Sequence, residues 1–234
     1  MLKRNYRELI KGRDPVIPED GIFSHLSSGE RASLLQEVTL ISFSRHDILI
    51  RQFMPADHII YITRGLVKVF RKGRSGRVVC ISLVGSGQFV ALPCALGTGE
   101  YRFSASAVES TDALMIRSGA IAKLIYENGN FSREIMTRLS SDMIEVSEKL
   151  VALSVKQLPG RVADLIRYFS ENLFQSDDFT VPLTRQEMAE LIGTTKESLI
   201  RTLNEFRNDR LIELDGRRIK IIAPDLIDIL CELG

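Results

Sequence analysis

The sequence predicts an α+β protein with a β-rich N-terminal half, one long helix across the middle and a winged helix-turn-helix at the C-terminal end. Three observations carry that prediction. Residues 41–116 alternate short apolar runs with turn residues, residues 131–155 hold an unbroken helical pattern, and residues 183–222 spell two capped short helices and a basic hairpin.

Length and composition set the frame. With 234 residues, 44% of them hydrophobic, the chain has material for two modest domains with separate cores. A net charge of +1 excludes a broadly basic surface, so any contact with nucleic acid must come from locally placed side chains. The charged N-terminus, MLKRNYRELIKGRDP, does not read as a secretory signal, and no stretch approaches the apolar length of a membrane span. Cys80, Cys94 and Cys231 are far apart and form no C-x-x-C, which fits a reducing, cytoplasmic compartment and argues against disulfide or structural-zinc frameworks.

In the first half, Asp47-Ile48-Leu49-Ile50, Ile59-Ile60-Tyr61-Ile62, Val67-Lys68-Val69-Phe70 and Val78-Val79-Cys80-Ile81 read as strands. Turns are expected at Gly65, in the Gly73-Arg74-Ser75-Gly76 stretch, at Gly85-Ser86-Gly87 and at Gly97-Thr98-Gly99. Regularly spaced short strands point to a sandwich, jelly roll or barrel. Cys80 belongs to an apolar strand and is expected in the core, while Cys94 follows Pro93 in a loop-like stretch and is a candidate redox thiol.

The central helix has no glycine or proline over residues 131–155. Met136, Leu139, Met143, Val146, Leu150 and Leu153 are separated by 3, 4, 3, 4 and 3 residues, an a/d heptad seam. Its other faces are polar, with Arg138, Ser141, Asp142, Glu145, Glu148 and Lys149, so the seam is expected to pair two copies of the chain. Pro159-Gly160 is read as the break after this helix, with a new helical pattern from Val162 and a loop at Asp177-Asp178.

Thr184-Arg185-Gln186-Glu187 fits a capping box opening a short helix whose buried stripe is Met188, Leu191 and Ile192, and Gly193 closes it. Thr194-Thr195-Lys196-Glu197 opens the next helix at once, with Leu199, Leu203 and Phe206 inward. Two short helices joined by a tight glycine-containing turn form a helix-turn-helix, whose second helix lies in the major groove with its first residues against base edges. Thr195, Lys196, Glu197, Ser198 and Arg201 are therefore candidate DNA contacts. Glu suits the cytosine N4 donor, and Arg suits guanine O6/N7 or a phosphate. Thr194-x-x-Glu197 also spells a capping box, which gives Glu197 a competing structural role. Residues 211–214, then Asp215-Gly216, then residues 217–222 read as a hairpin with a type I′ turn, a wing that brings Arg217, Arg218 and Lys220 near phosphates.

Over nearly its whole length the chain resembles the Crp/Fnr family of bacterial transcription regulators. The resemblance rests on LTRQEMAELIGTTKESLIRTLNEFRNDRLIELDGRRIKI, with its Lys196-Glu197-Ser198-Leu199-Ile200-Arg201 core, and on Leu49-Ile50-Arg51-Gln52 with Ile60-Tyr61-Ile62-Thr63-Arg64-Gly65. It implies an N-terminal double-stranded β-helix, or jelly roll, of the cyclic-nucleotide-binding type. It further implies a dimerisation helix, a winged helix reading a palindromic operator, an effector bound in or near the β-roll, and contact with RNA polymerase. The expected division is 1–130 for effector sensing, 131–157 for dimerisation and 158–234 for DNA binding. Lys196, Glu197 and Arg201 take the family's DNA-contact positions, with Lys196 in place of the commoner arginine.

Members that bind cyclic AMP carry a Phe-x-Gly-Glu run, an arginine ten residues on and a Thr-Ser pair on the long helix. Here the run is Phe89-Val90-Ala91-Leu92, Arg102 stands at the arginine spacing and Val146-Ser147 at the pair. Phe89, Leu92, Arg102 and Ser147 are thus the effector-pocket positions that the resemblance implies. A leucine cannot accept from ribose hydroxyls, each of which would lose roughly 1–3 kcal/mol unpaired, so cyclic AMP is not expected as the ligand. The iron–sulfur branch needs an N-terminal cysteine group, and residues 1–79 contain none. His25, His46 and His58 leave haem open, although His58 just before a strand reads as structural. No metal site is expected.

The chain offers no complete dinucleotide fingerprint, phosphate loop, H-E-x-x-H or nucleophile elbow, so an enzyme is not expected. The competing reading is a cyclic-nucleotide-binding-like module acting through a protein partner. Salt-dependent duplex affinity separates the two.

Overall fold

The computed structural model describes residues 14–73 and 76–234. The N-terminal segment read above for targeting signals, up to residue 13, lies outside the described residues, as do Arg74 and Ser75 of the expected turn. Two compact units are present, Met1–Lys72 with Ile81–Ile144, and Gly73–Cys80 with Glu145–Gly234.

In the first unit, helix α1 (Ser28–Leu35) begins at Ser27, whose hydroxyl accepts from Glu30 N–H while the Glu30 carboxylate accepts from Ser27 N–H. The strands are β1 (Val38–Phe43), β2 (Ile48–Ile50), β3 (His58–Arg64), β4 (Val67–Lys72), β5 (Val78–Val84), whose residues up to Cys80 are assigned to the second unit, β6 (Phe89–Val90), β7 (Ser104–Ala107) and β8 (Thr111–Arg117). They form two four-stranded sheets, ordered β1-β8-β3-β6 and β2-β7-β4-β5. Strands far apart in sequence lie side by side, the winding of a jelly roll. Strand alternation explains why the Ile59-Ile60-Tyr61-Ile62 run is buried throughout. Ile60 and Ile62 join Ile41, Phe43, Val67, Val69 and Ala105 in one core, whereas Ile59 and Tyr61 join Phe23, Leu114 and Ile116 in another.

Helix α2 (Ser118–Glu127) leads into the long helix α3 (Gly129–Val155). Phe131 and Ile135 are fully buried in the second of those cores, which anchors the start of α3. The helix is not a segment apart, as a 131–157 division implied, because its residues up to Ile144 belong to the first unit and those from Glu145 to the second. The expected seam is also narrower than its spacing. Met136, Met143, Val146 and Leu150 are exposed, but Leu139 packs on the core that holds Phe131, and Leu153 lies against Gly193. The two leucines near the helix ends serve intrachain packing, while the exposed apolar surface gains Ile144, Val151 and Val155.

The second unit holds α4 (Leu158–Tyr168), β9 (Asp178–Thr180), α5 (Arg185–Leu191), α6 (Lys196–Asn208), β10 (Ile212–Asp215), β11 (Arg218–Ile221) and α7 (Pro224–Leu233). Pro159 and Gly160 fall within the first turn of α4 rather than at a break, since a first-turn proline lacks only an N–H that has no helical acceptor. The break lies at Lys156-Gln157. There the Lys156 ammonium donates to Asp164 Oδ1 at 2.8 Å and to the Cys231 carbonyl at 2.5 Å, fastening the end of α3 to α4 and α7. Asp178, expected in a loop, begins β9, the third strand of a sheet ordered β10-β11-β9.

Between α5 and α6 the chain turns at Gly193, with φ +66°. Thr194 N–H donates to the Ala189 carbonyl at 3.0 Å, and a Cβ on Gly193 would come within 2.8 Å of Leu153 Cδ2. Gly193→Ala is expected to lower stability by about 1–2 kcal/mol from the left-handed backbone alone, read as a shifted urea midpoint with unchanged m. Adding Leu153→Ala should recover only the part due to crowding. An unshifted midpoint in the single variant would show that the turn tolerates a side chain.

Candidate nucleic-acid interface

Helix α5 starts as its motif requires. Thr184 Oγ1 accepts from Glu187 N–H at 3.2 Å, and Glu187 Oε2 accepts from Thr184 N–H at 2.8 Å. Met188, Leu191 and Ile192 are buried on one side of the motif and Leu199, Leu203 and Phe206 on the other, so the two helices share a core as the spacing predicted.

At the start of α6 the cap is Thr195, one residue later than the Thr194-x-x-Glu197 reading. Thr195 Oγ1 accepts from Ser198 N–H at 3.2 Å and donates to Ser198 Oγ at 3.1 Å. The shift has a plain cause, since Thr194 N–H is already committed to Ala189 in the turn. Thr195 and Ser198, both expected as DNA contacts, therefore build the helix start together. Glu197 has no capping role. Lys196, Glu197 and Arg201 are exposed, and among the described residues no hydrogen bond or ion pair within the chain engages their side chains. Arg201 follows Glu197 by four residues, so the two lie one turn apart on the same face.

The wing forms, with a different turn from the one expected. Strand pairing sets Asp215 opposite Arg218, which leaves Gly216 and Arg217 as the two central residues. Only Gly216 has positive φ, +55°, whereas a type I′ turn needs positive φ at both positions. Glycine at the first central position is the type II′ pattern, and it puts Arg217 at the tip. Arg217 is exposed, with one long contact to the Pro182 carbonyl at 3.4 Å.

Arg218 is less available than expected. Its Nε donates to Asp178 Oδ1 at 2.7 Å, an acceptor brought alongside by β9. The same hydrogen bond holds the Asp178 carboxyl below the usual carboxylate range and raises the guanidinium. Lys220 stands 3.9 Å from Glu213 on the neighbouring strand.

Arg185, which opens α5, was missed. Its Nη2 donates to the Gly216 carbonyl at 2.6 Å and its Nη1 to Met188 Sδ at 3.2 Å. Burial lowers its pKa, and the neighbouring Arg217 lowers it further. The contact joins residues 31 apart, so no local pattern announces it.

The effector-pocket positions differ in their surroundings. Phe89 lies in an aromatic cluster, its ring 5.0 Å from Tyr61, which is 4.8 Å from Phe23. Leu92, 2% exposed, is buried in the same core, as an apolar residue in place of a carboxylate should be. Both are packing residues. Arg102 is exposed and 3.5 Å from Glu100, and Ser147 belongs to the second unit. Cys80 is buried as expected, but so is Cys94, whose Sγ accepts from Arg102 N–H at 3.4 Å, which removes the accessibility that a redox thiol needs. His25, His46 and His58 stand on a 3-10 turn, a strand connection and the first residue of β3. Burial lowers the His58 pKa, with Arg117 adding to the shift.

Comparison with known proteins agrees with this geometry. A Crp-like helix-turn-helix domain matches residues 160–227, and a cyclic nucleotide-binding domain matches residues 40–128. The chain is 22% identical over 212 residues to the CRP-like cAMP-activated global transcriptional regulator of Mycobacterium tuberculosis, covering 89% of this chain and 95% of that protein. It is 25% identical over 217 residues to the anaerobic regulatory protein of Bacillus subtilis, covering 90% of each. In fold it is similar to FixK2 from Bradyrhizobium japonicum, with a TM-score of 0.76 at 17% identity over 82% of this chain and 96% of that one. Among the described residues no helix is long and apolar enough to cross a membrane. A cyclic-nucleotide-binding-like β-roll followed by a Crp-like helix-turn-helix places the chain in the Crp/Fnr family of DNA-binding transcription regulators, which are not enzymes.

Proposed function

We propose that two copies of this chain pair along α3, read an imperfectly palindromic duplex in the cytoplasm, and answer to an effector other than cyclic AMP. The observation that carries the reading is the exposed trio Lys196, Glu197 and Arg201 at the start of α6, with no intrachain partners among the described residues. Glu197 accepts from a cytosine N4 amine, Arg201 reaches guanine or a phosphate one turn later, and Lys196 adds a point charge. Arg217 at the wing tip supplies a phosphate contact.

Pairing is supported by the exposed apolar surface of α3, where Met143 is 73% and Leu150 65% exposed in the single chain. Contiguous apolar surface of this kind marks an interaction face. A second copy covers it and sets two recognition helices about one helical turn of DNA apart. The resemblance between the β-roll and cyclic-nucleotide domains does not extend to the ligand, since Leu92 is a core residue and Arg102 faces Glu100 in an exposed loop. The effector acts in or near the β-roll, and RNA polymerase is the partner that the family implies. Free thiols at all three cysteines fit the cytoplasm.

Selection from a randomised duplex pool tests this reading. The expected outcome is a palindromic motif whose affinity falls steeply with salt and does not respond to cyclic AMP. Failure to select any duplex would refute the DNA reading, and a strong cyclic AMP response would refute the ligand argument. Glu197→Ala should relax base choice at one position per half-site, a change of about 1–3 kcal/mol in discrimination, without altering the melting temperature. A lowered melting temperature with intact selection would assign Glu197 to stability. Met143→Glu with Leu150→Glu should give a monomer by analytical ultracentrifugation, whereas a stable dimer would move the interface off α3.

A further inference from the structure

We infer that Arg185 is a positioning residue that locks the wing turn onto the first helix of the helix-turn-helix, so that Arg217 is already set at the tip before DNA arrives. The inference rests on the winged helix reading duplex DNA.

Three observations on separate elements converge on it. The Gly216 carbonyl, which accepts from Arg185 Nη2 at 2.6 Å, belongs to the peptide that joins the two central residues of the turn. Fixing that peptide fixes the backbone that carries Arg217. The Arg185 side chain is itself held, with Met188 Sδ accepting from its other terminal nitrogen at 3.2 Å and Met188 fully buried. On the far side of the turn, the Arg217 carbonyl accepts from Val181 N–H at 3.1 Å. The wing tip is thus pinned from α5 and from the residue after β9, while the Arg217 side chain is exposed, with one long contact to the Pro182 carbonyl at 3.4 Å.

A guanidinium suits this task for a geometric reason. Its planar fork donates in two directions at once, to a carbonyl and to the thioether, whereas a lysine ammonium on a flexible stem does not reproduce that pair of contacts. Placing two arginines side by side is unfavourable in the free protein, and the cost falls on Arg185, whose ionised form is disfavoured by burial and by Arg217. Through the turn backbone, Arg185 acts on the placement of Arg217 rather than as one more independent cation.

The test uses the full chain and the duplex recovered by selection, with affinity measured by fluorescence anisotropy across a salt series. Arg185→Lys keeps the charge and removes the fork, so it should weaken binding about tenfold, as much as Arg185→Met does. It should also make the salt slope shallower by about one, as Arg217→Ala does. Combining Arg185→Lys with Arg217→Ala should add little to either loss. Wild-type affinity in Arg185→Lys, or losses that multiply in the double variant, would overturn the inference and make Arg185 an independent phosphate contact. In the DNA-free protein, hydrogen exchange at the Val181 amide should quicken in Arg185→Lys, and an unchanged rate would equally overturn it. If the wild-type chain binds no duplex, the functional reading fails while this exchange measurement still decides whether Arg185 sets the wing.

Discussion

The winged helix depends on a turn whose left-handed backbone disfavours any side chain. Gly193 sits in the left-handed region with Leu153, from the end of the long helix, laid against it. Arg161 Nη1 donates to the Ile192 carbonyl at 2.7 Å beside it, so the end of α5 is capped from α4. With the turn fixed, α5 and α6 meet at one angle, their apolar stripes close over a shared core, and the first turn of α6 is directed outward. The same contact joins the helix proposed to pair with a second copy to the motif proposed to read DNA. Lys156, which donates to Asp164 and to the Cys231 carbonyl, fastens the end of the same helix to α4 and α7.

Charge placement does the rest. The chain is nearly neutral, so affinity for a polyanion has to come from cations that the fold leaves unneutralised. The structure divides its arginines and lysines into two groups. Arg218 is engaged by Asp178, Lys156 by Asp164 and Arg167 by Asp228, all within the same unit. Lys196 and Arg201 are held on a rigid helix with no such neighbour among the described residues. Surface ion pairs contribute little to stability, so their value here lies in orientation: Asp178 holds Arg218 along the wing, as Arg185 holds the wing tip.

The readable parts of the sequence were those whose cause is local. Capping boxes, helical periodicity and a glycine after the last helical residue act over a few residues, and the helix-turn-helix was legible from residues 183–206 almost completely. The large β-branched and aromatic runs located β2, β3, β4 and β5, but β7 is Ser-Ala-Ser-Ala, whose burial depends on neighbouring strands rather than on its own hydrophobicity. Errors arose where tertiary partners decide. The choice of Thr195 over Thr194 as cap follows from the acceptor at Ala189, and the wing turn follows from a strand register that places Arg217 at its centre. Leu139 and Leu153 fit the heptad by spacing, but their own chain claims them, and Leu92 could be seen to lack a carboxylate but not to be buried. The Arg185 to Gly216 contact had no local signal at all.

If the start of α6 enters the major groove and a paired chain presents it twice, hydroxyl-radical footprinting on a duplex carrying the selected palindrome will show two protected patches whose centres lie about one helical turn, ~10 base pairs, apart. They will flank the positions at which Glu197 and Arg201 face base edges. A single protected patch, or uniform protection with no helical period, would contradict this placement.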